Sequence, residues 1–124
     1  MTKILIVDDE KDVVTYLSAF LQDNGFETIT AFDGKECFEI AKKEKPDLIT
    51  LDITMPNESG VRAFRNLQES DETKNIPIII ITGVSSEFKN FISTRKQVFP
   101  PTAYFEKPIN REELLAKIKE ILKL

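Results

Sequence analysis

The sequence predicts an α/β fold in which a doubly wound parallel sheet of five strands is covered by helices on both faces. Strand-like and helix-like segments alternate along all 124 residues, and this alternation is typical of a parallel sheet between two helical layers. The central strands are almost continuously apolar, as expected of strands buried on both faces. The length and the 41% hydrophobic content suffice for one domain, residues 1–124, with its own core.

The first two predicted strands flank an amphipathic helix. Residues 3–7 form the first strand, and residues 10–23 form a helix because their apolar side chains recur on one helical face. Asn24-Gly25 ends this helix in the usual C-terminal manner. Residues 26–31 form a second, weaker strand, which we expect at an edge of the sheet.

The next helix and strand lead to Asp52. Asp33-Gly34 begins a helix that continues to about Lys43, and Pro46 ends that segment. The apolar run Asp47-Leu48-Ile49-Thr50-Leu51-Asp52 then predicts a buried strand. Its last residue is a carboxylate at the rim of a core, where a charge needs a partner.

The second half of the chain continues the alternation. The predicted elements are a third helix after the loop at residues 56–60, a strand over 78–82, a fourth helix from Ser85 or Ser86, a strand over 103–106 and a last helix. Asn110, with Glu113 three residues later, forms a capping-box-like start for the last helix.

Composition excludes several classes of function. The net charge of −4, without a basic stripe, gives no electrostatic footprint for nucleic acid. No apolar run could cross a bilayer and no signal-peptide pattern is present, so we expect a cytoplasmic protein without membrane contact. The chain has no histidine, which excludes histidine metal sites and the usual imidazole base. Cys37 is the only cysteine, and its apolar neighbours indicate a buried structural thiol.

Polar side chains stand where four of the predicted strands end. Asp8 and Asp9 follow the first strand, and Asp52 ends the third. Thr82 ends the fourth strand, and Lys107 follows the fifth. In doubly wound sheets, ligand sites lie beyond the carboxyl ends of the strands, where the strand order reverses. The fold and the residue pattern therefore predict a site at the same edge.

The chemistry of these side chains favours phosphoryl transfer. Three carboxylates held close together repel one another, so either one of them takes a proton or a hard divalent cation binds. Mg²⁺ suits a site with few carboxylates, because it keeps several waters and accepts phosphate oxygens. A lysine and a hydroxyl beside it complete an anion-receiving pocket. In-line transfer onto a carboxylate in such a pocket depends on positioning and charge neutralisation more than on a base.

Four short segments occupy these strand ends. They are Asp8-Asp9, Asp52-Ile53-Thr54-Met55-Pro56 with Gly60, Thr82-Gly83, and Lys107-Pro108 preceded by Tyr104. Their order resembles that of the response-regulator receiver domains of two-component signalling, over essentially the whole chain. The resemblance implies the flavodoxin-like strand order 2-1-3-4-5. It also implies a signalling module that is not an enzyme beyond accepting a phosphoryl group and slowly losing it.

The resemblance further implies a metal site and a phosphoacceptor. Asp52 would be the phosphoacceptor. Asp9, Asp52 and the backbone carbonyl of Thr54 would bind Mg²⁺ (or Mn²⁺) directly, and Asp8 would act mainly through water. Lys107 would neutralise the acceptor and then the phosphoryl group.

The same resemblance implies a switch and its partners. Thr82 would move to bond a phosphoryl oxygen, and Tyr104 would follow it inward, altering the surface of the fourth helix and fifth strand. The Lys107-Pro108 bond is a candidate cis peptide. A sensor histidine kinase or a histidine phosphotransfer protein would donate the phosphoryl group, and an unknown downstream protein would bind the altered surface.

One segment departs from the family pattern. The interval between Thr82 and Lys107 is a few residues longer than usual, and the extra length falls around residues 97–101. That segment lies on the expected output face, so the family's dimer through the fourth helix and fifth strand is in doubt. Phe99 is either a partner contact or an aromatic side chain tucked under its own loop.

Other functions fit fewer of the residues. An aspartyl-nucleophile phosphatase of the haloacid-dehalogenase kind would carry a second Asp where Thr54 stands, with its nucleophile usually on the first strand. A flavodoxin-like cofactor module would need a phosphate-cradling loop, and the acids would repel a flavin phosphate. The intact acid pocket argues against a degenerate receiver. The chain is either a stand-alone regulator or relay intermediate, or the receiver piece of a longer regulator or hybrid histidine kinase.

Overall fold

The strands and helices of the computed structural model follow the predicted alternation. The structure describes residues 2–54, 59–83 and 103–124. The strands are β1 (Lys3–Val7), β2 (Glu27–Ala31), β3 (Leu48–Asp52), β4 (Ile78–Thr82) and β5 (Ala103–Glu106). The helices are α1 (Lys11–Asp23), α2 (Gly34–Glu44), α3 (Ser59–Glu69) and a C-terminal helix (Arg111–Leu122). The predicted helix from Ser85 or Ser86 and the 97–101 segment with Phe99 lie outside the described residues.

The five strands form one parallel sheet in the order β2-β1-β3-β4-β5, which confirms the predicted fold class and strand order. β2 lies at an edge, as its weaker pattern predicts. Asp52 pairs in register with Ile81, and Thr82 pairs with Glu106. The carboxyl ends of β3, β4 and β5 are therefore level with one another, and the residues that follow them meet at one edge.

Side chains divide between two cores, one on each face of the sheet, because successive residues of a strand point to opposite faces. In β1, Leu5 and Val7 belong to the core under α2 and α3. Ile4 and Ile6 belong to the core under α1 and the C-terminal helix. Every residue of β3 and β4 is buried, which explains why the sequences of these strands are so apolar.

The backbone conformations of Glu10 and Gly25 set the two ends of α1. The helix begins at Lys11, one residue later than predicted, because Glu10 keeps an extended backbone with φ −92° and ψ 112°. Gly25 follows the helix with φ 90°, a conformation that glycine adopts without a steric penalty. The bend after Gly25 returns the chain to the sheet, and the Glu27 N–H donates to the Thr2 carbonyl at 2.8 Å.

Two other helices begin with side-chain caps. Asp33 accepts a hydrogen bond from the Glu36 N–H at 2.8 Å, and Asn110 accepts one from the Glu113 N–H at 3.0 Å. The second contact confirms the predicted start of the last helix, since a cap satisfies an amide that has no partner within the helix. None of the helices in the three described ranges is long and apolar enough to cross a membrane.

Cys37 lies on the inner face of α2 and is fully buried. Burial and, to a smaller extent, the nearby Asp33 charge together raise the pKa of its thiol to about 12. The thiolate, which is the reactive form, is therefore scarce at neutral pH. This agrees with the structural role predicted for Cys37.

Candidate functional site

Two buried carboxylates meet at the carboxyl ends of β1 and β3. Asp8 directly follows β1 and is 2% exposed, and Asp52 ends β3 and is 1% exposed. The Lys107 ammonium reaches both of them, with Nζ 3.1 Å from Asp8 Oδ2 and 3.1 Å from Asp52 Oδ2. Burial of unpaired charges is costly, so this shared ammonium is what offsets the burial of the two carboxylates.

The backbone of Lys107 is fixed by the sheet. Its N–H donates to the Thr82 carbonyl at 2.8 Å, which continues the pairing of β4 with β5 by one step. The Lys107-Pro108 peptide bond is cis, as the sequence resemblance suggested. The lysine therefore reaches the two acids from a defined backbone position at the neighbouring strand ends.

Two exposed acids complete the cluster, and sequence reasoning missed one of them. Carboxylate oxygens of Asp8, Asp9 and Glu10 lie within 4.8 Å of one another. The Glu10 N–H donates to Asp8 Oδ1 at 3.0 Å, and Glu10 Oε1 lies 3.5 Å from Lys107 Nζ. The uninterrupted run of three acids after β1 was the signal that could have found Glu10.

Thr54 contacts the Asp52 carboxylate through two donors. Its N–H lies 2.8 Å from Asp52 Oδ1, and its hydroxyl oxygen lies 2.6 Å from the same atom. The sequence resemblance assigned Thr54 a role only through its backbone carbonyl. The hydroxyl contact emerges from the structure.

The first turn of α3 packs directly on the backbone at the end of β3. A Cβ atom added to Gly60 would collide with the Asp52 carbonyl oxygen and would lie 2.6 Å from Ile53 Cα. Only glycine fits this approach without a shift of the backbone. Gly60 therefore belongs to the scaffold that fixes Asp52.

The two proposed switch residues occupy β4 and β5. Thr82 is fully buried one residue beyond Ile81, the register partner of Asp52. Tyr104 is half-buried on β5, and its hydroxyl donates to Glu106 Oε1 at 3.0 Å. Thr82 thus lies at the same sheet edge as the acids, whereas the Tyr104 hydroxyl contacts an exposed carboxylate.

The acids and the lysine shift each other's pKa. The pKa of Asp8 is raised from 3.8 to about 6, with burial as the largest cause. The Asp52 charge also raises it, while the Glu10 N–H and Lys107 oppose the rise. For Lys107, burial lowers the pKa, but the adjacent Asp52 and Asp8 outweigh burial and hold it above its ordinary value. Lys107 is therefore fully charged at neutral pH, and the Asp8 carboxyl takes up a proton as the pH falls towards 6.

An open groove of about 500 Å³ lies beside Lys107, between α1 and the segment that precedes the C-terminal helix. The residues that line it are Glu10, Val13, Tyr16, Leu17, Lys107, Pro108 and Ile109. Tyr16 is 48% exposed at this surface. The Arg111 guanidinium carbon lies 5.7 Å from the centre of the Tyr16 ring, within the range of a cation–π contact.

One protein family matches almost the whole of this chain. A family model described as the response regulator receiver domain matches residues 4–119. This chain belongs to that family. The receiver domain is a signalling module of two-component systems, and the matched range includes every residue of the site described above.

Some relatives are about as long as this chain, and others are about twice as long. The chain is 35% identical over 122 residues to Protein PilH of Pseudomonas aeruginosa, covering 98% of both chains. It is 36% identical over 121 residues to the transcriptional regulatory protein PhoP of Bacillus subtilis, which acts in alkaline phosphatase synthesis, but covers only 48% of that protein. It is also 32% identical to the transcriptional regulatory protein CpxR of Escherichia coli, again covering half of it. The chain thus spans about half the length of the PhoP and CpxR regulators.

Solved structures share the receiver fold at similar identity. The chemotaxis protein CheY4 of Vibrio cholerae matches with a TM-score of 0.84 and 32% identity over 98% of both chains. A CheY-like receiver domain protein of Methanospirillum hungatei matches with a TM-score of 0.86 and 28% identity, covering 99% of this chain and 94% of that one. The BeF3-activated receiver domain of Klebsiella pneumoniae RstA matches with a TM-score of 0.81 and 27% identity, covering 99% and 100%.

Proposed function

We propose that this receiver domain accepts a phosphoryl group onto Asp52 from the phosphorylated histidine of a partner protein, with Mg²⁺ (or Mn²⁺) bound. The observation that carries the proposal is the Lys107 ammonium, which lies 3.1 Å from both Asp52 and Asp8. Two buried carboxylates and one ammonium, together with a bound divalent cation, would form a pocket that can receive an anion. Residues 1–124 act as one receiver unit, whether alone or within a longer regulator.

Asp52 is assigned as the acceptor because it occupies the phosphoacceptor position of the receiver pattern. Lys107 holds one of its oxygens and Thr54 the other, and a carboxylate needs no base to react. One of its oxygens forms the new O–P bond as the donor's P–N bond breaks, and the electron pair of that bond leaves with the donor imidazole. Lys107 stays within hydrogen-bonding distance of Asp52 and neutralises charge on the phosphoryl oxygens. The product is an acyl phosphate on the protein.

The donor set of the cluster fits a hard divalent cation. Among the described residues, the cluster contains four carboxylates, and its one ammonium contacts three of them, so the cluster carries excess negative charge. Carboxylate and carbonyl oxygens are the ligands that Mg²⁺ prefers. Asp9, Asp52 and the Thr54 backbone carbonyl would hold the ion, with Asp8 acting through water. The bound ion would supply charge neutralisation for the phosphoryl group.

The readout of phosphorylation is a rearrangement of Thr82 and Tyr104. Thr82 ends the strand next to Asp52, so its hydroxyl can reach a phosphoryl oxygen by a local movement. Tyr104 would then leave Glu106, its present hydrogen-bond partner, and turn inward. The surface around β5 would change, and a downstream protein would bind the changed form.

The partner that donates the phosphoryl group approaches over the groove beside Lys107. Asp52 is almost fully buried, so a donor histidine has to enter at the strand ends, next to Glu10 and Lys107. The apolar wall of the groove, including Tyr16, continues from this entrance. A histidine kinase or histidine phosphotransfer protein would cover this surface during transfer.

Beryllofluoride tests acceptance at Asp52 directly, and a structural relative was solved in a BeF3-activated form. The chain contains two tyrosines and no tryptophan, so protein labelled with 3-fluorotyrosine should give two fluorine signals. Beryllofluoride with Mg²⁺ should shift the Tyr104 signal, assigned with Tyr104→Phe. Mass spectrometry after treatment with acetyl phosphate should show one added phosphoryl group.

Two variants sharpen this test. Asp52→Asn should abolish both the shift and the added mass. Asp71→Asn should leave them unchanged, because Asp71 is exposed and pairs only with Lys74 among the described residues. A wild-type protein that is indifferent to both reagents would overturn the proposal. Turnover of a generic phosphate ester would favour the phosphatase alternative instead.

A further inference from the structure

The two oxygens of Asp52 are held by different groups. Oδ2 lies 3.1 Å from the Lys107 ammonium. Oδ1 accepts the Thr54 N–H at 2.8 Å and the Thr54 hydroxyl at 2.6 Å. A carboxylate oxygen offers two lone-pair directions, so Thr54 alone occupies both directions of Oδ1.

This occupancy conflicts with the chemistry proposed for Asp52. Phosphoryl acceptance would use one carboxylate oxygen as the nucleophile, and the other oxygen would be needed to hold the cation. Each oxygen must therefore have a lone pair that no hydrogen bond occupies. In this structure the two Thr54 donors occupy both lone pairs of Oδ1. The Thr54 N–H belongs to the backbone and cannot withdraw without moving the chain. The Thr54 hydroxyl can withdraw by rotation about a single bond.

Among the described residues, nothing near Gly83 blocks this rotation. Thr54 is only half-buried, and a Cβ atom added to Gly83 would still lie 4.0 Å from the Thr54 hydroxyl oxygen. Gly83 therefore leaves the hydroxyl uncrowded on the side of β4. Rotation costs the side chain one hydrogen bond to a charged acceptor, which exceeds an ordinary hydrogen bond in strength.

We propose that the Thr54 hydroxyl is a positioning group that holds Asp52 Oδ1 in the metal-free state and competes with the divalent cation for that oxygen. The inference rests on the proposed function, because it needs a cation to bind at Asp52. Thr54 would then set how much Mg²⁺ the domain requires before it accepts a phosphoryl group. The backbone carbonyl of Thr54 and its hydroxyl act in opposite directions on the same ion.

Thr54→Val tests the competition, since valine has nearly the shape of threonine but no hydroxyl. Mg²⁺ titrations of the intact chain, followed by calorimetry and by backbone amide NMR, should show about tenfold tighter binding in the variant, the equivalent of one hydrogen bond to a charged group. Thr54→Ser restores the hydroxyl and should bind Mg²⁺ within about twofold of the wild type. Thr54→Ala should bind Mg²⁺ as tightly as Thr54→Val, and it replaces that variant in the test if the valine side chain packs poorly.

A second readout separates competition from a purely structural role. Without metal, Thr54→Val should have a lower melting temperature than the wild type, because Asp52 has lost a donor. A structural defect would lower both stability and Mg²⁺ affinity, whereas competition moves them in opposite directions. Equal or weaker Mg²⁺ binding by Thr54→Val, with normal binding by the wild type, would overturn this inference alone. A wild type that binds no Mg²⁺ would overturn the proposed function as well.

Discussion

Lys107 and Asp52 are 55 positions apart in the chain, yet the ammonium of one lies 3.1 Å from a carboxylate oxygen of the other. The same ammonium lies 3.1 Å from Asp8. A single side chain from the end of β5 thereby compensates two buried charges from the ends of β1 and β3. Stability and the proposed chemistry depend on the same contact.

Replacement of Lys107 should therefore destabilise the fold. Lys107→Met leaves two buried carboxylates without their shared cation, and loss of one partner of a buried ion pair costs about 3 kcal/mol or more. Urea denaturation at pH 7 should show this loss. The matched control is Lys74→Met, which removes the exposed pair with Asp71 and should change the free energy of unfolding by less than about 1 kcal/mol. Equal effects of the two variants would contradict the prediction.

The elevated pKa of Asp8 predicts a pH dependence of stability. Its pKa is about 6 in the folded protein and 3.8 as its ordinary value, so the folded state holds the proton more tightly than the unfolded state. The contribution of Asp8 to the free energy of unfolding therefore falls as pH rises from about 4 to about 6. Asp8→Asn should remove this fall and be more stable than the wild type at pH 7, by up to about 3 kcal/mol.

Denaturation of both proteins between pH 4 and pH 7, without divalent cations, measures this effect. The difference between Asp8→Asn and the wild type should shrink as the pH falls, because the wild-type carboxyl becomes neutral. Addition of Mg²⁺ at pH 7 should stabilise the wild type through binding to the folded state. A constant difference across the pH range would show that the Asp8 charge is not the cause.

Gly60 and Gly83 form a matched pair that tests the packing of α3 on β3. Gly60→Ala places a Cβ atom against the Asp52 carbonyl and 2.6 Å from Ile53 Cα, so it should cost at least about 2 kcal/mol by overpacking. Among the described residues, Gly83→Ala meets only an ordinary contact at 4.0 Å, and it should stay within about 0.5 kcal/mol of the wild type. Thermal denaturation of the two variants side by side checks the contrast.

Two buried threonines should respond in opposite ways to substitution by valine. The Thr50 hydroxyl has no hydrogen-bond partner among the described residues, so Thr50→Val should stabilise the protein by about 1 kcal/mol. The Thr73 hydroxyl donates to the Leu67 carbonyl at 2.7 Å, so Thr73→Val should destabilise it by about 1 kcal/mol. Both residues are 1% exposed, which makes them comparable. Urea midpoints that move in the same direction would refute the assignment.

Tyr16 should affect the rate of phosphoryl transfer from a protein donor but not from a small-molecule donor. Tyr16→Ala removes an exposed aromatic side chain from the groove beside Lys107, and such side chains often dominate an interface. Transfer from a phosphorylated histidine phosphotransfer protein that is active with the wild type should slow about tenfold. Acceptance from acetyl phosphate should stay unchanged. Phe32→Ala, another exposed aromatic side chain that does not line the groove, should leave both rates unchanged.

The sequence determined the architecture and the location of the site. Alternation of period-two and helical patterns predicted the five strands, and the apolar run that ends at Asp52 predicted a buried central strand. Strand ends of a parallel sheet meet at one edge, so the positions of Asp8, Thr82 and Lys107 in the chain sufficed to place them together. These predictions succeed because secondary structure and sheet order follow from local periodicity and a small set of connection rules.

Only the tertiary structure decided which atoms share which partners. It showed that Lys107 serves two carboxylates at once, that Glu10 reaches the same ammonium, and that the Thr54 hydroxyl occupies Asp52 Oδ1. Residue types and their spacing leave each of these open, since many side-chain directions are compatible with the same strand end. Angstrom-scale contacts depend on how the strand ends stagger and which rotamers the packed neighbours allow, and that information exists only once the chain has folded.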